Sequence, residues 1–237
     1  MNFNRLLLAS AVFSHASAAT VFVESFESAP GSTYTLSSTF DDGSFDFFGR
    51  YAVPDNTNAA RDDFQTGWDQ AFGIIGQHHN GDGNAAMQMV SIPNIDITDL
   101  ADLTLTVSLG ALNSEPGFNN YESLDDDGLR IYATVDSGAR TLVGEFAPNA
   151  SGASDLYLDT DADGIGDGAI LTTALTDFSF DVPGAGDSLL LEFELTTTDS
   201  FEPLALDNVR VETIPEPSST ALLGSLALVG LLRRQRK

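Results

Sequence analysis

The sequence predicts an all-β protein, a two-sheet antiparallel β-sandwich of the jelly-roll kind, flanked by two short apolar segments. Three observations lead there. Runs of alternating apolar and polar residues recur through the middle of the chain, Gly, Pro, Asn and Asp clusters separate them, and helical periodicity is scarce. The division that follows is residues 1–18, 19–213 and 214–237, with the sandwich as the central piece of this 237-residue chain.

Residues 1–18 read as a secretory signal helix. Arg5 supplies the positive start, residues 6–13 the apolar stretch, and Ala16-Ser17-Ala18 a small-residue cleavage site. The body then opens with an alternating strand at 20–26. A further strand is expected at 87–92, and 103–109 is the cleanest run, with Leu103, Leu105, Val107 and Leu109 on one face. Residues 129–135 and 141–146 are separated by Asp136-Ser137-Gly138, a connection of hairpin size. Strands at 178–182, 189–195 and 204–211 complete the series, and long loops are expected at 28–83 and 148–170. Spacing of this kind suits a sandwich, and a jelly roll is its most economical form.

The charge balance restricts what such a body can bind. All 35 acidic residues fall between Glu24 and Glu216, against five basic ones, Arg50, Arg61, Arg130, Arg140 and Arg210, a formal −30. Self-repulsion on that scale calls for counter-charge: bound Ca²⁺, environmental salt or a cationic surface. Nucleic acid is excluded as a partner, because phosphate binding needs a basic face. The chain has no cysteine. Thiol catalysis and Cys-ligated zinc are therefore excluded, and an exported protein of this type relies on core burial, metal ions or both.

The tail has three zones: Pro215-Glu216-Pro217, an apolar run at 221–232, and the cations Arg233, Arg234, Arg236 and Lys237. The apolar run falls short of the ~17–25 residues of a bilayer crossing, and adding 218–220 brings it close. A transmembrane sorting helix is expected, its cationic end held at the cytoplasmic face. In motif, order and position this tail resembles the PEP-CTERM sorting signal of Gram-negative bacteria. The resemblance implies recognition and removal by an exosortase after transient anchoring in the inner membrane, and delivery of the body to the cell surface or matrix.

Two groups of acids are candidate metal ligands. In Asp159-Thr-Asp161-Ala-Asp163-Gly164-Ile-Gly-Asp167-Gly168, carboxylates alternate along a loop that Gly164 can turn sharply, which lets oxygens wrap one hard cation. Ile170 occupies the position where an EF-hand has its bidentate glutamate, so the loop is more similar to the calcium loops of thrombospondin type 3 repeats. A solvated acidic turn is the alternative. The opening Val23-Glu-Ser-Phe26-Glu27 and closing Ala205-Leu-Asp207-Asn208-Val209 resemble galactose-binding-like carbohydrate modules and MAM-type jelly rolls. That resemblance implies a structural Ca²⁺ with Glu27 and Asp207 as ligands; ordinary strand-edge acids are the alternative.

Other residues give weaker signals. Asp125-Asp126-Asp127-Gly128 reads as an exposed turn that could also hold a metal, and His78-His79 as a flexible loop, with transition-metal ligation as the alternative. Phe64, Trp68, Phe72, Tyr34, Tyr51 and Tyr121 sit in or near expected loops, most of them to serve the core. No Gly-x-Ser-x-Gly, His-Glu-x-x-His or phosphate-binding glycine loop is present, so no catalytic residue is assigned. The expectation is a non-enzymatic, calcium-stabilised surface or matrix protein that binds extracellular polysaccharide. Two rivals stay open: a secreted polysaccharide hydrolase with paired carboxylates, and a purely structural coat protein.

Overall fold

In the computed structural model the described residues are 18–54, 61, 63–64, 66–112, 121–122, 127–149 and 155–214. Among them, thirteen strands form: β1 (Thr20–Glu24), β2 (Thr35–Leu36), β3 (Phe40–Asp41), β4 (Phe47–Ala52), β5 (Phe72–Gln77), β6 (Met87–Asp96), β7 (Leu103–Ala111), β8 (Gly128–Val135), β9 (Thr141–Pro148), β10 (Leu156–Leu158), β11 (Thr176–Val182), β12 (Ser188–Thr196) and β13 (Leu204–Thr213). They belong to one unit, Thr20–Thr213. The expected signal helix and the sorting residues Pro215, Glu216, Pro217, Arg233 and Arg234 lie outside the described residues.

Two antiparallel sheets face each other. One runs β11-β7-β13-β5-β4-β3 with β1 added on β13, and the other runs β10-β9-β8-β12-β6-β2. The expected strands at 20–26, 87–92, 103–109, 129–135, 141–146, 178–182, 189–195 and 204–211 are all present with adjusted ends. β12 shows why alternation is readable: Leu189, Leu191, Phe193 and Leu195 are buried against the opposite sheet. Between them, Glu192 and Glu194 face outward and bind one guanidinium, Arg140, each at 2.7 Å. The same guanidinium lies 3.5 Å over the Tyr132 ring. Apolar inside and ionic outside is the pattern of a sheet with one wet face.

The 28–83 stretch differs from expectation, since four strands (β2–β5) lie within it. The reason is local. β4 and β5 are covered on both faces, so their residues do not alternate. On the inner face Phe48 and Ile74 join the main core. On the outer face Phe47, Ile75 and Ala205 form a second, smaller cluster with Phe64 and Leu175, against which Tyr51 and Trp68 pack. Gly67 makes this cover possible. Its φ is +92°, and a Cβ there would lie 2.2 Å from the Leu175 carbonyl oxygen. β10 likewise interrupts the expected 148–170 loop.

Phe146 on β9 is fully buried and meets the edges of Phe178 and Phe180 from β11, with centroids 4.8 and 6.3 Å away. This contact ties the two sheets together where β9 and β11 meet. Phe146→Ala is expected to lose about 3–5 kcal/mol of unfolding free energy in urea titration. A loss below about 1 kcal/mol would show that the contact does not hold the sandwich closed.

Candidate functional site

The β3–β4 hairpin and the segment before it form an open cleft of about 380 Å³, lined by Pro30, Thr39, Phe40, Asp41, Phe48, Gly49, Arg50 and Tyr51. Pairing of Phe40 with Phe48 and of Asp41 with Phe47 fixes the hairpin register. Asp41 is neutralised by Arg61 at 2.7 Å, and Arg61 lies over the Tyr51 ring at 4.3 Å. Arg50 donates from Nε to the Phe26 carbonyl at 2.5 Å and from Nη2 to the Glu27 carbonyl at 2.6 Å, while its guanidinium stacks 3.5 Å over Phe72. Cleft size, an apolar wall and a few placed polar groups are what a small-molecule or saccharide site requires.

The Asp159 loop follows β10 and closes on itself. Asp159 is nearly buried and accepts N–H groups from Asp161, Ala162 and Gly164 at 3.2, 2.8 and 2.7 Å. Desolvation pushes its carboxyl up, but these N–H donors outweigh it and leave the group below the usual aspartate range. Asp159, Asp161 and Asp163 bring ligand oxygens within 4.8 Å of one another. The Asp163 charge, above all, holds the Asp161 carboxyl up. An oxygen-only, unneutralised set of this kind suits a hard cation such as Ca²⁺. Asp167 turns elsewhere, accepting the Thr160 N–H at 3.0 Å and the Thr160 hydroxyl at 2.8 Å.

Glu27 and Asp207 lie at the bulge in β13. β13 pairs with β5 over Leu204–Leu206 and with β1 from Val209 to Glu212, and its register against β7 shifts between Asp207 and Arg210. Asn208 takes φ +48° at that shift. The Asp207 carboxylate is buried and accepts N–H groups from Asp69 and Asn208, both at 2.7 Å. Glu27 accepts the N–H groups of Ala71 and Phe72, both at 2.9 Å. Burial pushes Asp207 up to about 7, against those two donors and with help from the Asp69 and Glu27 charges. The pair thus pins the 69–72 segment to the two end strands.

A third acidic group was not legible in the sequence. Glu122, Asp127 and Glu202 bring ligand oxygens within 4.8 Å of one another, with Asp127 and Glu202 fully buried. Glu202 accepts the Thr198 and Asp199 N–H groups at 3.1 and 2.8 Å, and Asp127 accepts the Glu122 and Thr198 N–H groups at 2.9 and 3.0 Å. Burial first, then the hydrogen bond to Asp127 and its charge, push Glu202 up to about 9 and Glu122 to about 7. Asp127 belongs to the expected Asp125-Asp126-Asp127 turn; Asp125 and Asp126 lie outside the described residues. Glu202 is 75 positions away, on the β12–β13 connection, so only the fold brings it there.

The histidine pair is not a flexible loop. His78 Nδ1 pairs with Asp46, and His79 is fully buried, its Nδ1 between the Ala86 and Leu195 carbonyls at 3.1 and 3.0 Å. Burial brings the His79 imidazole down to about 4. Phe64, Tyr34 and Tyr121 are core residues, as expected.

Comparison with known proteins bears on the two parts of the chain separately. Residues 213–237 match the PEP-CTERM protein-sorting motif. No curated protein sequence matches the chain. Among solved structures, a cyclase from Fischerella sp. TAU is similar with TM-score 0.50 at 14% identity, covering 85% of this chain and 100% of its own. A cleaved adhesin domain of Lys-gingipain from Porphyromonas gingivalis gives TM-score 0.44 at 16% identity, covering 84% of this chain and 100% of that one. The CBM22-1 xylan-binding domain from Paenibacillus barcinonensis Xyn10C gives 0.41 at 10%, covering 86% and 99%. These likenesses concern the β-sandwich fold.

The raised carboxyls predict an unusual pH profile. Glu122, Glu202 and Asp207 keep protons in the folded state that the unfolded chain releases near 4.5, 4.5 and 3.8. Their contribution is complete below those values and is lost as pH rises through about 7 and about 9. With EDTA present, the urea midpoint is expected to fall from about pH 5 to pH 9, and Glu202→Gln is expected to flatten the upper part. A midpoint that climbs steadily over this range contradicts the assignment.

Proposed function

We propose that this chain is an exported surface or matrix protein. Its sorting tail is processed by an exosortase, and its calcium-stabilised β-sandwich binds extracellular polysaccharide without catalysis. The observation that carries the reading is the joining of a PEP-CTERM motif at 213–237 to a sandwich with an open cleft walled by Phe40 and Tyr51. Sugar rings present apolar C–H faces that pack on such walls, while their hydroxyls seek acceptors and donors at the rim. Binding is favoured over hydrolysis by the acids in view. Glycoside hydrolysis needs two carboxyls flanking the scissile bond. Asp41 is the acid among the cleft-lining residues, and it is held by Arg61. Asp127 and Glu202 are wholly buried.

Calcium has a role in this reading as counter-charge. Asp159, Asp161 and Asp163 would hold it in the loop, and Glu27 and Asp207 are the second candidate ligands. The result would be a body of formal −30 that folds more firmly where Ca²⁺ is plentiful.

Two measurements test the proposal. Pull-down with purified matrix polysaccharides in the presence of Ca²⁺ is expected to retain the protein, and Thr39→Trp, which fills the cleft from an exposed position, to abolish retention. Absence of retention by any polysaccharide would sink the binding reading. Calorimetric titration is expected to show Ca²⁺ binding that Asp161→Ala with Asp163→Ala removes. A wild-type protein with no heat and no thermal shift on adding Ca²⁺ would sink the calcium part.

A further inference from the structure

One arginine at the cleft stands apart from the others in the body. Five arginines serve residues 24–216, and among the described residues four of them are bound to carboxylates: Arg61 to Asp41, Arg130 to Glu145, Arg140 to Glu192 and Glu194, and Arg210 to Asp177. Arg50 is the exception, since no described carboxylate lies within 4.0 Å of it. Its Nε and Nη2 serve the Phe26 and Glu27 carbonyls, its face covers Phe72, and Nη1 makes no hydrogen bond among the described residues. The carboxylates nearby have other hydrogen-bond partners. Glu24 accepts the Phe26 N–H and the Thr33 hydroxyl, Glu27 accepts the Ala71 and Phe72 N–H groups, and Asp41 is held by Arg61. Arg50 and Asp41 are the charged residues lining the cleft. With Asp41 paired to Arg61, Arg50 is the lining charge that has no direct carboxylate partner among the described residues.

From this we infer that the cleft recognises an anionic sugar residue, a uronate carboxylate or a sulfate ester, through the Arg50 guanidinium, with Phe40 and Tyr51 packing on the ring. The inference rests on the polysaccharide-binding reading and narrows it to a ligand class. Arg50 is held rigid by two carbonyls and an aromatic face, so little side-chain freedom is lost when its remaining N–H groups meet an anion. Repulsion from the acidic surface acts over longer distances and is screened within about 8 Å at physiological ionic strength. The contact in the cleft is short-range and partly desolvated, so it is screened less. Selectivity therefore comes from the cleft, and the surrounding charge discourages polyanions from binding elsewhere.

The test alters the cleft charge without touching Arg50 or its contacts. Thr39 is exposed and lines the cleft, so Thr39→Glu and Thr39→Lys change local charge while sparing the core. Affinity is measured by calorimetry, with Ca²⁺ held constant, for oligomers of a uronic acid, a sulfated oligosaccharide and a neutral oligosaccharide of equal length. The expected result is tighter binding of an anionic oligomer than of the neutral one. Thr39→Glu should weaken that binding by about threefold to tenfold and Thr39→Lys should strengthen it, so that the ratio of anionic to neutral affinity moves in opposite directions in the two variants. Which anionic oligomer responds identifies the acid group. Arg50→Gln is expected to remove the preference, with circular dichroism reporting whether the hairpin persists. Equal or better binding of the neutral oligomer, or anionic binding indifferent to both Thr39 variants, overturns the inference and leaves polysaccharide binding intact. Absence of binding to all three oligomers and to matrix polysaccharide overturns both.

Discussion

Everything in this body depends on how β13 shares its hydrogen bonds. One side of the strand pairs with β7 along most of its length, and the other is divided between β5 and β1. The division requires a break in register, which falls at Asp207 and Asn208. There a buried carboxylate collects two backbone N–H groups and anchors the segment that leads into β5. The last strand thereby fastens the first strand and the middle of the chain together. In a protein with no cysteine, this backbone stitch does the work that a disulfide does in many exported domains.

The charge problem is solved piecemeal around that frame. Four arginines are matched to carboxylates on outer sheet faces or at the hairpin, and many other acids are satisfied by their own backbone. Asp159, Glu27, Asp207, Asp127 and Glu202 all accept main-chain N–H groups, which makes a carboxylate tolerable where no cation is near. What this cannot do is neutralise groups that converge. The Asp159 loop presses like charges together, whereas the Glu122–Asp127–Glu202 group relieves the same pressure by keeping protons on Glu122 and Glu202.

Much of the sandwich was readable because β6, β7, β8, β9, β12 and β13 are long and carry apolar residues at alternate positions. The β3–β4–β5 region was not, and the cause is physical. Phe47, Phe48, Ile74 and Ile75 are adjacent apolar residues buried on opposite faces, which erases the period of two. The Asp159 loop was legible as a local pattern, and Glu27 and Asp207 as a pair from the opening and closing segments through a resemblance. Convergence of Glu202 on Asp127, and of Phe40 on Arg50, depends on tertiary placement that no spacing rule contains. His79 shows the opposite failure. A polar residue in a Gly- and Asn-rich stretch reads as loop, yet two carbonyls and two phenylalanine rings enclose it.

The lengths of the border strands have a consequence for how such a protein behaves in a crowded extracellular layer. β2 and β3 are two residues long and β10 three, and each stands at the margin of a sheet. A margin that short offers too few free amide and carbonyl groups for a second chain to add a strand. Two margins are longer: β11, which presents the exposed Asp181, and β1, which pairs with β13 alone among the described strands. Three of the sheet margins are thus too short to recruit another copy at high concentration, which confines any strand addition to β11 and β1.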